Sequence, residues 1–399
     1  MKIFTLSASP YLFTKLGKMN SDLLLHLKSQ GHEVGSIVWH LNTSWYLPDE
    51  TDNKYKYEVD NNIVCDLFPF IPHPEQSTPV IYDIIKQEKP DVIISIGDYH
   101  QFSHLCAIKG LEPQSFKWIG VFTVDALPIN EGEIEIFNYV DVAIATTKSA
   151  KEAIQKIKGS CEYIPYGSHL DKLNSDIKIN GSKLKLVTCA KNAQASNIAG
   201  LLKAIMIANK ENNGQIECYL NTNYSDAGEY DLDLLIKRYG IKDYIKLPDC
   251  YTSLNDGMPF EDLVNIYKDS DVVVDISVRS ATGLSVLEGM ACGCIPVCSP
   301  VGALEEIINK LPKDYQFFPR TNTYIGSYEE EYKIVSIKDL AKILGMLLKI
   351  KKDKVKFCEI KSKCVEVSKR FSHKDFVETV DKIISSLELD KKFLEVEIM

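Results

Sequence analysis

The hydrophobic pattern of this chain switches repeatedly between short unbroken apolar runs and stretches of helical period. KIFTLS reads as a first strand, and Leu16, Met19, Leu23, Leu24 and Leu27 then mark one face of a helix ending at Gly31. HEVGSIVWHL is the next strand. Residues 42–79 are aromatic, polar and proline-rich, with no clean period. The alternation resumes with VIYDIIKQEKP, the strands DVIISIG and KWIGVFTV, and the pair VDVAIAT and KSAKEAIQKI. Strands alternating with helices at this spacing predict a parallel, doubly wound sheet.

A second series of the same kind begins after the polar stretch HLDKLNSDIKINGSK. LKLVTC, IECYL, YIKLP, VVVDI and CIPVCS read as strands with helical segments between them, among them NIAGLLKAIMIANK, whose Ile198, Leu201, Leu202 and Ile205 share a face. From about residue 336 the chain is helical, through LAKILGMLLKI and FVETVDKIISSL. A length of 399 residues also exceeds what one hydrophobic core usually serves. We therefore expect two Rossmann-like domains, residues 1–168 and 183–371, with a C-terminal helix near 372–390 packing back on the first. Such an α/β layout places a cleft between the carboxyl ends of two sheets, where ligands of doubly wound folds bind.

The stretch DVVVDISVRSATGLSVLEGMACGCIPVCSPVGALEEII, residues 271–308, carries the clearest chemistry. VVVDI has the β-branched run of a strand covered on both faces. Gly283 then opens a segment with Leu284, Leu287 and Ala291 at helical spacing, closed by Cys292 and Gly293. A strand, a glycine and a helix N-terminus together make an anion site, because free backbone N–H groups and the helix dipole both point at the incoming charge. Glu288 falls about one and a half turns into that helix, within reach of a ribose hydroxyl beside a bound phosphate.

Composition removes several alternatives. The formal charge of −9 argues against a general polyanion binder, so a nucleic-acid partner has little support. No apolar run approaches the length that spans a bilayer. MKIFTLSASPYLF reads as a strand and loop rather than a signal peptide, which predicts a cytoplasmic protein. The eleven cysteines are odd in number and mostly lie singly in apolar segments, so reduced, buried thiols are expected. The histidines show no ligand spacing, and no metal site is expected.

GLSVLEGMACGCIPV closely matches the second half of the glutamate-seven-residues-glutamate motif of retaining GT-B glycosyltransferases, and the chain resembles their family four (glycosyl transferases group 1) over nearly its whole length. TKLGKMNSDLLLHLKSQGHEV is similar to the opening loop and first helix of that family. KWIGVFTVDALP, VDVAIATTKSAKEAI and YIPYGSHLDKL resemble the end of its first domain. LVTCAKNAQASNIAGLLKA resembles the start of its second, and FSHKDFVETV its closing helix. The resemblance implies the GT-B fold, with two Rossmann-like domains facing each other across a cleft. It implies sugar transfer from a nucleotide-diphosphate donor, UDP- or GDP-linked, with retention and without a metal or other cofactor.

It also implies roles for particular residues. Gly283, Leu284 and Ser285 would present N–H groups to the diphosphate, Glu288 would bind ribose, and Tyr251 in LPDCYTS would wall the base. Family members place an arginine and a lysine after the first strand of the second domain; here those positions are Lys191, a cation without the bidentate fork, and Ser196. The first glutamate of the motif is replaced by Ser280, and Arg279 beside it is a candidate replacement cation for the donor. Gly17, flanked by Lys15 and Lys18 in the loop after the first strand, is expected near the donor phosphates. Asp125 is expected to orient the reacting end, making it and Lys191 the catalytic candidates. Asp98 and His100 are candidates on the acceptor side.

The leading expectation is glycosyl transfer to an acceptor glycan, lipid-linked sugar or other hydroxyl compound. The alternative, motivated by Ser196 and Ser280, is a catalytically degenerate protein of the same fold that binds nucleotide or serves as a partner subunit. A glycosyltransferase of modified nucleic-acid bases is a third reading. Acceptor recognition is expected in the loops 42–79 and 99–116.

Overall fold

A computed structural model describes residues 1–39, 55–71, 77–173, 177–179, 181–222, 229–248, 258–327 and 329–397, with side chains as far as residue 387. The backbone divides into two compact units. One comprises Met1–Val124, Glu131–Gly167 and Ser372–Met399, the other Asp125–Asn130 and Ser168–Phe371. The short segment Asp125–Asn130, which follows a strand of the first unit, thus packs with the second.

The first unit is built from β1 (Lys2–Ala8), α1 (Lys15–Ser29), β2 (Glu33–Trp39), β3 (Tyr55–Val59), β4 (Asn62–Pro69), α2 (Ser77–Glu88), β5 (Val92–Gly97), α3 (Ser103–Leu111), β6 (Lys117–Phe122), β7 (Val142–Ala145), α4 (Lys148–Lys158) and β8 (Glu162–Tyr163). Its eight strands are ordered β3-β4-β2-β1-β5-β6-β7-β8. All neighbours are parallel except β3, which runs against β4. β3 and β4 occupy part of the region that shows no clean sequence period. In β3 only Tyr57 is buried, so an edge strand of mixed polarity gives little pattern to read. The last helix, His373–Glu397, belongs to this unit, where the Phe376 ring meets Tyr166 edge-on at 5.3 Å.

The second unit contains β9 (Leu184–Cys189), α5 (Ile198–Glu211), β10 (Ile216–Asn221), α6 (Leu232–Tyr239), β11 (Ile245–Lys246), α7 (Phe260–Asp269), β12 (Val272–Asp275), α8 (Leu284–Ala291), β13 (Ile295–Cys298), α9 (Gly302–Ile308), the hairpin β14 (Thr321–Ile325) and β15 (Glu331–Val335), α10 (Ile337–Ile350) and α11 (Lys354–Ser368). Its five parallel strands are ordered β11-β10-β9-β12-β13. The strand expected over YIKLP is confined to Ile245–Lys246.

Val272, Val273, Val274, Leu287 and Met290 are at most 1% exposed. Burying each such side chain contributes roughly 1.5–3 kcal/mol, which explains the lack of alternation in this strand. A buried carboxylate fastens α10 and α11 to the sheet. Asp271 accepts from Lys351 Nζ at 2.6 Å and from the Lys185 N–H at 3.0 Å, and Lys361 Nζ lies 3.7 Å away. Each charge has an opposite partner, as burial requires. The ten cysteines among the described residues are free thiols, and none of the described helices is long and apolar enough to cross a membrane.

Candidate functional site

In the second unit the chain reverses its winding between β9 and β12, which are neighbours although β10 and β11 intervene in sequence. A doubly wound sheet opens a crevice at such a switch point, outside the carboxyl ends of the two strands. The loops that emerge there, residues 190–197 and 276–283, are tied together by the Val278 N–H, which donates to the Ala195 carbonyl at 2.8 Å. Lys191, Ser196, Arg279, Ser280 and Gly283 therefore all stand on one pair of linked loops.

Gly283 is the N-cap of α8 and has φ +60°, a left-handed conformation open to glycine at little cost. A Cβ there would meet Ile307 Cδ1 at 2.7 Å. The loop before it is wedged against α9. The Ala303 N–H donates to the Ser280 carbonyl at 3.0 Å, and Gly302 passes so close to that oxygen that a Cβ would lie 2.1 Å from it. Within α8 the first intrahelical bonds run from the N–H groups of Val286 and Leu287 to the Gly283 carbonyl. The N–H groups of Leu284 and Ser285 precede those bonds, as at any helix start, and are donors suited to an anion.

Glu288 is 3% exposed. Its carboxylate lies 3.4 Å from the Tyr267 hydroxyl, and Tyr267 is itself fully buried. Burial raises the Tyr267 phenol well above the ordinary tyrosine range, with the nearby Cys189 and Glu288 adding to the effect, so the hydroxyl stays protonated and can donate to Glu288.

Asp275, at the carboxyl end of β12, stands at the candidate site and was missed by sequence reasoning. It accepts from the Ser277 hydroxyl at 2.6 Å and the Ser277 N–H at 3.1 Å, with Ser285 Oγ at 3.4 Å. Burial raises its carboxyl pKa, and the serine hydrogen bonds oppose that shift. The available signal was a lone acid closing the run VVVD.

Lys191 is exposed and stands two residues after the end of β9. The neighbouring Asn192 is 2% exposed and donates through Nδ2 to the Tyr230 carbonyl, while its Oδ1 has no hydrogen-bond partner among the described residues. The Gln194 N–H donates to the Glu229 carboxylate. Arg279 stands over the Tyr332 ring, 5.6 Å from its centroid, with Nε 3.5 Å from Asp125 Oδ2. Tyr332 and its hairpin were not read from the sequence. Asp125 is brought to Arg279; the segment holding it is joined to β15 through the Glu331 N–H and the Leu127 carbonyl, 2.7 Å apart. Tyr251 lies outside the described residues.

The remaining candidates belong to the first unit, whose own switch point falls between β1 and β5. Asp98 follows β5 and caps a short 3-10 turn: its carboxylate accepts from the Tyr99 N–H at 2.9 Å, while Gln101 accepts from the Asp98 N–H. His100 is exposed, with Nδ1 3.6 Å from Asp98 Oδ2. Gly17 is not in a loop. It is buried in the first turn of α1, where its N–H is capped by Thr14 Oγ1 at 3.3 Å and a Cβ would lie 2.2 Å from the Leu12 carbonyl. Its small size admits the backbone of the preceding loop, a packing role that the flanking lysines concealed.

Comparison with known structures shows which architecture this is. Over 98% of the chain and 100% of the other, it superposes on sucrose-phosphate synthase from Thermosynechococcus elongatus with a TM-score of 0.73 at 14% identity. The fold is that of the GT-B glycosyltransferases. A glycosyltransferase from Rickettsia africae aligns over 96% of this chain and 97% of its own, with a TM-score of 0.69 at 14% identity. The E. coli trehalose-6-phosphate protein bound with UDP-2-fluoro glucose aligns over 97% and 99%, with a TM-score of 0.69 at 11% identity. Residues 174–321 match the family model of glycosyl transferases group 1, a span containing both switch-point loops and α8 of the GT-B fold's second unit. No curated protein matches the chain in sequence.

Proposed function

We propose that this chain transfers a sugar from a nucleotide-diphosphate-sugar to a hydroxyl acceptor, with retention of configuration and without a bound metal. One observation carries the reading. At the β9/β12 switch point, the αL glycine and free N–H groups of α8 coincide with Glu288 and with two cations on the adjoining loops, Lys191 and Arg279. Departure of a nucleoside diphosphate leaves nearly two negative charges, which fixed dipoles and cations must hold. In this reading Leu284, Ser285, Lys191 and Arg279 hold the diphosphate, and Glu288 accepts from ribose. The match of residues 174–321 to glycosyl transferases group 1 supports it, and the UDP-2-fluoro glucose bound by the E. coli structure supports a UDP-linked donor.

The test is release of nucleoside diphosphate from a panel of UDP- and GDP-sugars, with chelator present throughout. The expected result is release from one donor class, lost in Glu288→Ala. If one nucleotide binds but none of the donors is turned over, the protein is a binding subunit and the transfer reading fails.

A further inference from the structure

Arg279 is oriented from two directions. Asp125 Oδ2 lies 3.5 Å from its Nε, and its Cζ stands over the Tyr332 ring, 5.6 Å from the centroid. The Arg279 side chain is 39% exposed. The guanidinium is thus held beside a carboxylate and a ring and remains partly exposed, and its planar set of donors suits bidentate capture of a phosphate.

The hairpin holds this arrangement in place. Tyr332 pairs across the strands with Tyr324, and the two rings stack at 6.4 Å. On the outer edge of β15, the Glu331 N–H donates to Leu127 and the Lys333 N–H to Val278, at 2.7 and 3.3 Å. Lys333 Nζ reaches the Pro300 carbonyl at 2.7 Å. One strand edge therefore fastens the segment bearing Asp125 and the loop bearing Arg279. A half-exposed ion pair and a cation–π contact add little to stability; what they fix is direction.

We propose that Tyr332 and Asp125 are positioning residues that present the Arg279 guanidinium to the diphosphate of a nucleotide ligand. This rests on the second unit being a nucleotide-sugar site. Arg279 then supplies, from the β12 loop, the phosphate fork that the β9 loop lacks, where Lys191 offers a point charge and Ser196 none.

The test is calorimetric titration with UDP, GDP and ADP and, for the nucleotide that binds, competition by its nucleoside. Arg279→Ala weakens the diphosphate by roughly ten- to hundredfold and leaves the nucleoside unchanged. Tyr332→Phe binds as wild type, whereas Tyr332→Ala and Asp125→Asn each weaken the diphosphate by about two- to fivefold. Equal losses for nucleoside and diphosphate indicate a merely structural role and overturn the proposal. So does an unaltered Arg279→Ala, or a Tyr332→Phe as weak as Tyr332→Ala. If the wild type binds a nucleotide while these variants do not discriminate, the positioning proposal fails alone. If it binds none, the donor-site reading fails with it.

Discussion

Glu288 is a carboxylate folded into an apolar helix face, and its setting separates two things a sequence can say. The surrounding Val286, Leu287, Met290 and Ala291 announce a buried helix, and the motif announces a carboxylate with a task. Neither announces Tyr267, on the preceding helix and separated from it by a strand and a loop, whose hydroxyl faces it. Asp275 was hidden for a related reason, since Ser277, which holds it most closely, lies in a loop without period, and Ser285 in the first turn of α8. His104 is a residue of the first unit with no motif at all. Burial beside Phe70 lowers its pKa from 6.5 to about 4. Between those values the unfolded chain binds more protons than the folded one, so this group makes stability fall as pH drops from about 6.5 toward 4. Replacing it by leucine is expected to flatten that part of a denaturation-midpoint profile against pH. An unchanged slope would show that His104 titrates normally.

At the scale of elements, the strands and helices of the parallel sheets were legible because continuous β-branched runs and helical periods are strong signals. The antiparallel edge β3 and the hairpin β14–β15 were not. Both are short, exposed on at least one face and poor in core residues. The glycines show how an element junction constrains its neighbours. Gly283→Ala is expected to destabilise by roughly 1–2 kcal/mol, from the positive φ and a contact that the end of Ile307 can partly yield. Gly302→Ala is expected to cost more, because its obstacle is the Ser280 carbonyl, a backbone atom. Thermal midpoints of the two variants check the order. A Gly302→Ala protein as stable as Gly283→Ala would mean that the loop before α8 moves freely, contrary to a preset anion site.

For the whole molecule, the GT-B architecture was legible from two series of strand and helix, and a structural likeness spanning almost the entire chain supports it at 14% identity. The candidate site was legible only along one segment. Residues 271–308 place α8 and Glu288 correctly, but the cation set depends on contacts far apart in sequence, such as Arg279 with Asp125 and Tyr332. The segment Asp125–Asn130 follows β6 yet packs with the second unit, an assignment no local pattern could predict. The measurement that bears most directly on the account is calorimetric titration of the purified, folded protein with UDP, GDP and ADP, with and without magnesium. The account predicts micromolar binding of one nucleotide, unaffected by magnesium and abolished by Glu288→Ala. Absence of binding by all three would contradict it, and the serines at 196 and 280 would then mark a donor site that has lost its ligand.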